Sequence, residues 1–255
     1  MLKSRLIPVL LMLDGRMVKG KQFKDYRETG LPTSTVRIYS AQDADELCFI
    51  NINSDPQSFQ SMAQILAVAS KECFIPLCAG GGVRTLDDIK LLFSSGADKV
   101  LITSACYKDP KLIQKAVNIY GGQSIVAGID FASEDSSIPP QVFIDMGNTP
   151  VQIPICDYAK LLESYGVGEI FLNSISRDGL MIGYDLDVSQ AVQAAVEIPV
   201  ITCGGAGNFE HLLQAYTYAN VSAAACASLF HFGDNTPIRA RAYLKNHGVL
   251  MRALK

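Results

Sequence analysis

Short apolar runs alternate with longer stretches of helical period along nearly the whole chain. The runs occupy residues 6–11, 47–52, 75–78, 99–102, 124–129, 169–172, 200–203 and 223–227. The stretches between them, 57–71, 86–94, 109–120, 155–165, 189–196 and 210–218, carry apolar residues at helical spacing. The short runs are continuously apolar and do not alternate with polar residues, which means burial on both faces, as in a parallel sheet covered by helices. Eight runs, with no ninth and no second core-sized insert, predict closure into a single α/β unit, a (β/α)8 TIM barrel, over an open doubly wound sheet. The polar stretch 19–32 reads as a long mobile loop at the barrel top. Residues 132–140 read as a second polar loop, and Val142-Phe143-Ile144 as the start of a small hairpin.

The chain also repeats itself. Ala79-Gly80-Gly81-Gly82 returns as Cys203-Gly204-Gly205-Ala206, 124 residues later. At the same offset Gly96-Ala97-Asp98-Lys99 and Thr103-Ser104 return as Asn220-Val221-Ser222-Ala223 and Ala227-Ser228. Asp45-Glu46-Leu47-Cys48-Phe49 returns as Gly168-Glu169-Ile170-Phe171-Leu172. Two half-barrels of about 1–121 and 122–255 are expected, without a linker. Their strand ends differ where chemistry is expected: the fifth run ends in Asp130, the first in Leu11.

Composition narrows the class. About half of the 255 residues are apolar, the net charge is −3, and both signs are mixed along the chain. No basic stripe suggests nucleic acid, and no apolar run is long enough to cross a bilayer. Met1 to Arg5 followed by the first apolar run superficially suggests a signal peptide, but Asp14-Gly15-Arg16 interrupts it, so a buried first strand is expected. Seven cysteines without C-x-x-C spacing read as core residues in a reducing compartment. A cytoplasmic protein is expected. The histidines, His211, His231 and His247, are not spaced as metal ligands, and neither a metal nor a cofactor is expected.

In a barrel of this kind the site lies at the C-terminal strand ends. Gly80, Gly81 and Gly82 after the third run, and Gly204, Gly205 and Gly207 after the seventh, leave backbone N–H groups able to approach a phosphate. Thr103-Ser104 and Ala227-Ser228 add hydroxyls after the fourth and eighth runs. A cradle in each half implies a ligand with a phosphate at each end; the structural alternative is that tight turns simply need glycine. Asp130 is a candidate general acid or base, or else a helix cap or a structural hydrogen-bond acceptor. Asp178 in Ser176-Arg177-Asp178-Gly179 is a candidate ligand contact, or a turn residue. Lys19 is either a phosphate contact or a solvated loop lysine. Arg5, Glu46, Lys99 and Glu169 begin four of the strands and are able to interlock across the barrel floor, or to be solvated separately.

These features together resemble the cyclase subunit of imidazole glycerol phosphate synthase. The resemblance is carried by Asp14-Gly15-Arg16-Met17-Val18-Lys19-Gly20, Gly80-Gly81-Gly82-Val83, Gly96-Ala97-Asp98-Lys99-Val100, Ser174-Ile175-Ser176-Arg177-Asp178-Gly179, Gly204-Gly205-Ala206-Gly207 and His231-Phe232. It implies a heterodimer with a glutaminase that docks on the barrel floor, with Asp98 as a docking residue. Ammonia then passes a gate of Arg5, Glu46, Lys99 and Glu169 and rises to a two-phosphate substrate at the top, bound by Lys19, Gly81, Gly82, Thr103, Ser104, Asp178, Gly179, Gly204, Gly205, Ala227 and Ser228. The family pattern has a catalytic Asp where this chain has Leu11, a Lys where it has Leu13, and an Asp where it has Asn51. Loss of a positioned proton-transfer group costs roughly 10²- to 10⁴-fold. The expectation is a diverged paralogue that receives ammonia for another acceptor, such as a sugar amidotransferase building acetamidino groups on surface polysaccharide. The alternatives are an authentic lyase-type cyclase of histidine biosynthesis with a rebuilt acid/base pair, and a non-catalytic scaffold.

Overall fold

Twelve strands share one sheet, and eight of them close on themselves in the computed structural model, which describes residues 3–53, 55–133, 138–231 and 234–252. The barrel order is β1 (Arg5–Leu13), β4 (Leu47–Asn51), β5 (Leu77–Gly80), β6 (Lys99–Ile102), β7 (Ile125–Ala132), β10 (Glu169–Ser174), β11 (Val200–Cys203) and β12 (Ala223–Cys226). All eight pair in parallel, and β12 returns to β1 with Arg5 opposite Ala223. This is the (β/α)8 barrel that the unbroken apolar runs predict.

The helices wrap the outside, and local chemistry fixes where they start. Asp55 caps α2 (Pro56–Ala69) through Ser58 N–H, and Asp109 caps α5 (Pro110–Tyr120) through Leu112 N–H; each helix opens with proline. Thr85 and Asp88 form a reciprocal capping box on α3 (Leu86–Ser94). Asp185 caps α7 (Leu186–Ala195), which therefore begins three residues before the apolar periodicity suggests. Four further helices, α1 (Pro32–Ala41), α4 (Ser104–Lys108), α9 (Ser228–His231) and α10 (Pro237–Asn246), have no counterpart in the sequence expectation.

Side chains that alternate along each strand divide the interior in two. One set packs outward under the helices. The other, including Ile7, Val9, Cys48, Leu101, Val126 and Phe171, fills the barrel lumen as a separate apolar cluster. All seven cysteines are free.

The stretch 19–32 is not a loop. It contributes most of an antiparallel hairpin, β2 (Arg16–Lys21) and β3 (Lys24–Gly30), and the start of α1. Asp14 and Gly15, at φ 49° and 76°, join β1 to β2 in a two-residue turn of the kind that favours Asp-Gly. The hairpin therefore prolongs the barrel wall beyond Leu11, to Leu13. A second hairpin, β8 (Gln141–Ile144) and β9 (Thr149–Val151), extends β7 as the Val142-Phe143-Ile144 run suggests. Part of the polar loop before it, residues 134–137, lies outside the described residues, as does Phe232 of the His231-Phe232 pair.

Candidate functional site

A cavity of about 750 Å³ opens at the C-terminal ends of the strands. Leu11, Lys19, Asn51, Gly81, Gly82, Thr103, Ser104, Asp130, Asp178, Gly179, Gly204, Gly205, Ala227 and Ser228 all line it, so the fold collects these sequence candidates in one place. Leu13 is not among the lining residues.

The glycines have a backbone explanation of their own. A Cβ on Gly81 would stand 2.0 Å from Asn51 O, and one on Gly204 would stand 2.5 Å from Ser174 O. Each turn thus crosses the end of the preceding strand too closely for any side chain, at φ 84° and 90°. Gly82 is roomier, with Asn51 Nδ2 at 3.5 Å as its nearest neighbour, so its φ of 87° is the constraint there. Ser104 Oγ accepts a 2.9 Å hydrogen bond from Asp145 N–H, at the β8–β9 turn, and keeps its own proton for another acceptor.

Asp130 is not a helix cap; it lies inside β7, opposite Asn173 in the register. Asn173 Nδ2 donates to Asp130 Oδ1 at 3.1 Å. Burial lifts the Asp130 carboxyl to about 6, against the pull of Asn173 and with help from Asp178. A carboxyl poised there exchanges protons near neutral pH.

Lys19 is not a solvated lysine. It is 4% exposed, and its Nζ bonds Asp178 Oδ1 at 2.9 Å. Backbone contacts reinforce that link: Gln22 N–H donates to Asp178 O at 2.9 Å, and Gln22 Nε2 donates to Ser176 O. A Cβ on Gly179 would fall 2.2 Å from Gly20 O, so glycine lets the β2–β3 hairpin rest on the loop after β10. Asp178 thus anchors one wall of the cavity, and its Oδ2 is buried without a partner among the described residues.

Asn51 is turned to structural work. Its Nδ2 donates to Asn53 O at 2.8 Å and its Oδ1 accepts from Ser58 Oγ at 3.1 Å, fixing the turn into α2. His231 sits between Tyr39 Oη at 3.0 Å and Val9 O at 3.1 Å. Burial lowers its pKa to about 4, so it is neutral at pH 7 and bridges α1, α9 and β1. Sequence reasoning missed Asn173 and Tyr26, which also line the cavity. The signal for Asn173 was its place just ahead of the Ser174-to-Gly179 motif.

The opposite end of the lumen is closed by charge. Arg5 Nη1 meets Glu46 Oε2 at 2.9 Å, and Arg5 Nη2 meets Glu169 Oε1 at 2.9 Å. Lys99 Nζ meets the same carboxylates at 2.8 and 3.1 Å. The signs alternate around a closed ring, so the four candidates do interlock. Burial works against the charge of Lys99, but Glu46 and Glu169 more than offset it and its pKa ends above the usual lysine value. Asp98, beside the ring on the floor, is exposed and accepts from Leu77 N–H at 2.9 Å.

Among the described residues no group of three or more His, Cys, Asp or Glu is placed to hold a metal ion, and no helix is long and apolar enough to cross a membrane. The model of the family described as histidine biosynthesis protein matches residues 5–236, from the floor ring through the last strand and α9. The closed parallel barrel, with its cavity at the strand C-termini, is the product of a chain that belongs to the histidine biosynthesis protein family.

Proposed function

We propose that this chain is the synthase-type barrel subunit of a glutamine amidotransferase complex, a diverged paralogue of the imidazole glycerol phosphate synthase cyclase. A glutaminase docks on the floor beside Asp98, and ammonia enters through the ring of Arg5, Glu46, Lys99 and Glu169. The observation that carries this reading is the pairing of that ring with the lumen above it. The ring lies under an apolar column, including Ile7, Val9, Cys48, Leu101 and Phe171. Neutral ammonia crosses such a column at little cost, whereas burying an ion without a partner is strongly unfavourable.

At the top, the turns at Gly81-Gly82, Thr103-Ser104, Gly204-Gly205 and Ala227-Ser228 receive a ligand with a phosphate at each end. The acceptor is not the cyclase substrate. Leu11 brings an apolar side chain to the cavity wall, and Asn51 is tied into its turn by an Nδ2–H hydrogen bond to Asn53 O that an aspartate cannot make. Nitrogen transfer to a surface-polysaccharide amino sugar, through a partner amidotransferase, fits a barrel that keeps its conduit and loses its acid/base pair. The authentic cyclase is the second reading, favoured by Asp130, whose carboxyl is poised near neutral pH.

Steady-state turnover of the cyclase family's two-phosphate nucleotide with saturating free ammonium separates the two, because free ammonium bypasses the glutaminase. The paralogue gives no turnover as the natural protein, with or without rescue in Leu11→Asp. Turnover at an ordinary enzymatic rate by the natural protein overturns the paralogue and makes Asp130 the centre of a rebuilt pair.

A further inference from the structure

The hairpin over the barrel mouth carries two aromatic residues, Phe23 and Tyr26, to the cavity, and its backbone makes room for the Tyr26 ring. The β2–β3 register pairs Lys19 with Arg27 and Lys21 with Lys24, so Gly20 alone faces two residues, Asp25 and Tyr26. That is a β-bulge, a device that re-aims side chains beside functional sites. Asp25 adopts the left-handed φ of 53° within it. A Cβ on Gly20 would stand 2.5 Å from Lys24 O and 2.7 Å from both Cδ1 and Cε1 of Tyr26. The ring and the Lys24 carbonyl together occupy the space that any side chain at position 20 would need.

Tyr26 is half-buried and lines the same cavity as Asp130 and Asp178. Burial, with those two carboxylates adding to it, pushes the Tyr26 hydroxyl up to about 12. It therefore stays protonated at neutral pH and is a donor, not a base. Leu11 offers no proton to a ligand, whereas the Tyr26 hydroxyl adds a donor to those of Ser104 and the glycine turns.

We infer that Tyr26 is a ligand-contacting residue whose phenolic hydroxyl donates a hydrogen bond to a carbonyl or hydroxyl oxygen of a phosphorylated sugar-like ligand lying beside Asp130 and Asp178. The inference rests on the two-phosphate reading of the cavity. It adds the group that recognises the middle of the ligand, supplied by the hairpin and not by the barrel strands.

Ribulose 1,5-bisphosphate, a carbonyl-bearing sugar with a phosphate at each end, is the probe. Calorimetric titration of the full chain is compared with Tyr26→Phe, which keeps the ring over Gly20 and deletes only the hydroxyl. The expected result is binding weakened roughly three- to tenfold, the worth of one neutral hydrogen bond, with an unchanged urea midpoint. In protein labelled at tyrosine Cζ, the resonance missing from Tyr26→Phe moves when the probe is added. Equal affinity of the two proteins, or a stationary Tyr26 resonance with the probe bound, overturns the Tyr26 assignment alone. Failure of the natural protein to bind the probe overturns the two-phosphate reading and the assignment with it.

Discussion

Lys19 Nζ lies 2.9 Å from Asp178 Oδ1, joining residues 159 apart and fastening the hairpin after β1 to the loop after β10. Both side chains are largely removed from water, at 3% and 13% exposure. Breaking a buried pair from one side leaves an uncompensated charge, which costs about 3–5 kcal/mol. Asp178→Asn is expected to destabilise the protein by that order, seen as a lower urea midpoint. Lys19→Met combined with Asp178→Asn is expected to recover much of the loss, because no charge is then stranded. Strict additivity of the two single changes would deny the coupling.

Restoring the family carboxylate at position 51 works against the local structure. Asn51 Nδ2 donates to Asn53 O, and an aspartate would set a carboxylate oxygen against that carbonyl. Asn51→Asp is therefore expected to cost about 1–3 kcal/mol, the price of a lost bond and an unpaired buried acceptor. Differential unfolding in urea measures it. A variant as stable as the natural protein would mean that the turn before α2 accommodates the charge.

The C-terminal helix depends on a single buried cation. Arg241 is 0% exposed, and its guanidinium holds Asp45 through Nη1 and Arg252 O through Nη2. Asp45 also accepts from Leu6 N–H at the start of β1, so α10 is tied to the barrel floor. Arg241→Met is expected to destabilise by about 3–5 kcal/mol, because Asp45 loses its buried cation and keeps only the half-exposed Arg252, 3.3 Å away. Arg252, far more exposed, is expected to matter by less than about 1 kcal/mol when replaced by alanine. Comparable losses from the two variants would contradict the ordering.

The barrel was legible because its strands are buried on both faces, and burial writes itself as unbroken apolar runs such as 99–102 and 200–203. The hairpin was not, because β3 is Lys24-Asp25-Tyr26-Arg27-Glu28-Thr29-Gly30, mostly exposed, and its pairing with β2 comes from the Gln22-Phe23 turn, at φ 50° and 63°, and not from apolar alternation. Helix α10 escaped for a related reason: Arg239 and Arg241 break its apolar stripe, and Arg241 becomes a core residue only through Asp45, 196 residues away. At the site, strand-end position was enough to find Asp130, the glycines and the ring charges. Partnerships across the barrel were not readable. Lys19 with Asp178, Asn173 with Asp130 and Tyr26 over Gly20 are set by register and bulge, which one sequence does not print.

Asp130 gives the folded protein a pH dependence with a definite sign. Its pKa rises from the ordinary 3.8 to about 6, chiefly through burial, so the folded state binds this proton more readily than the unfolded chain. The stabilisation belongs to the protonated form. It is complete below about pH 4 and is lost as pH climbs through 6, by about 2–3 kcal/mol at most. Asp130→Asn is expected to flatten that part of the stability curve and to be the more stable protein at pH 8. Asn173 opposes the shift by donating to the ionised form, so Asn173→Ala moves the Asp130 titration upward. Carboxyl-carbon NMR titration of the natural protein and of Asn173→Ala reads both directions. A midpoint near 4, or a downward movement on losing Asn173, would remove Asp130 as a proton-transfer group working near neutral pH.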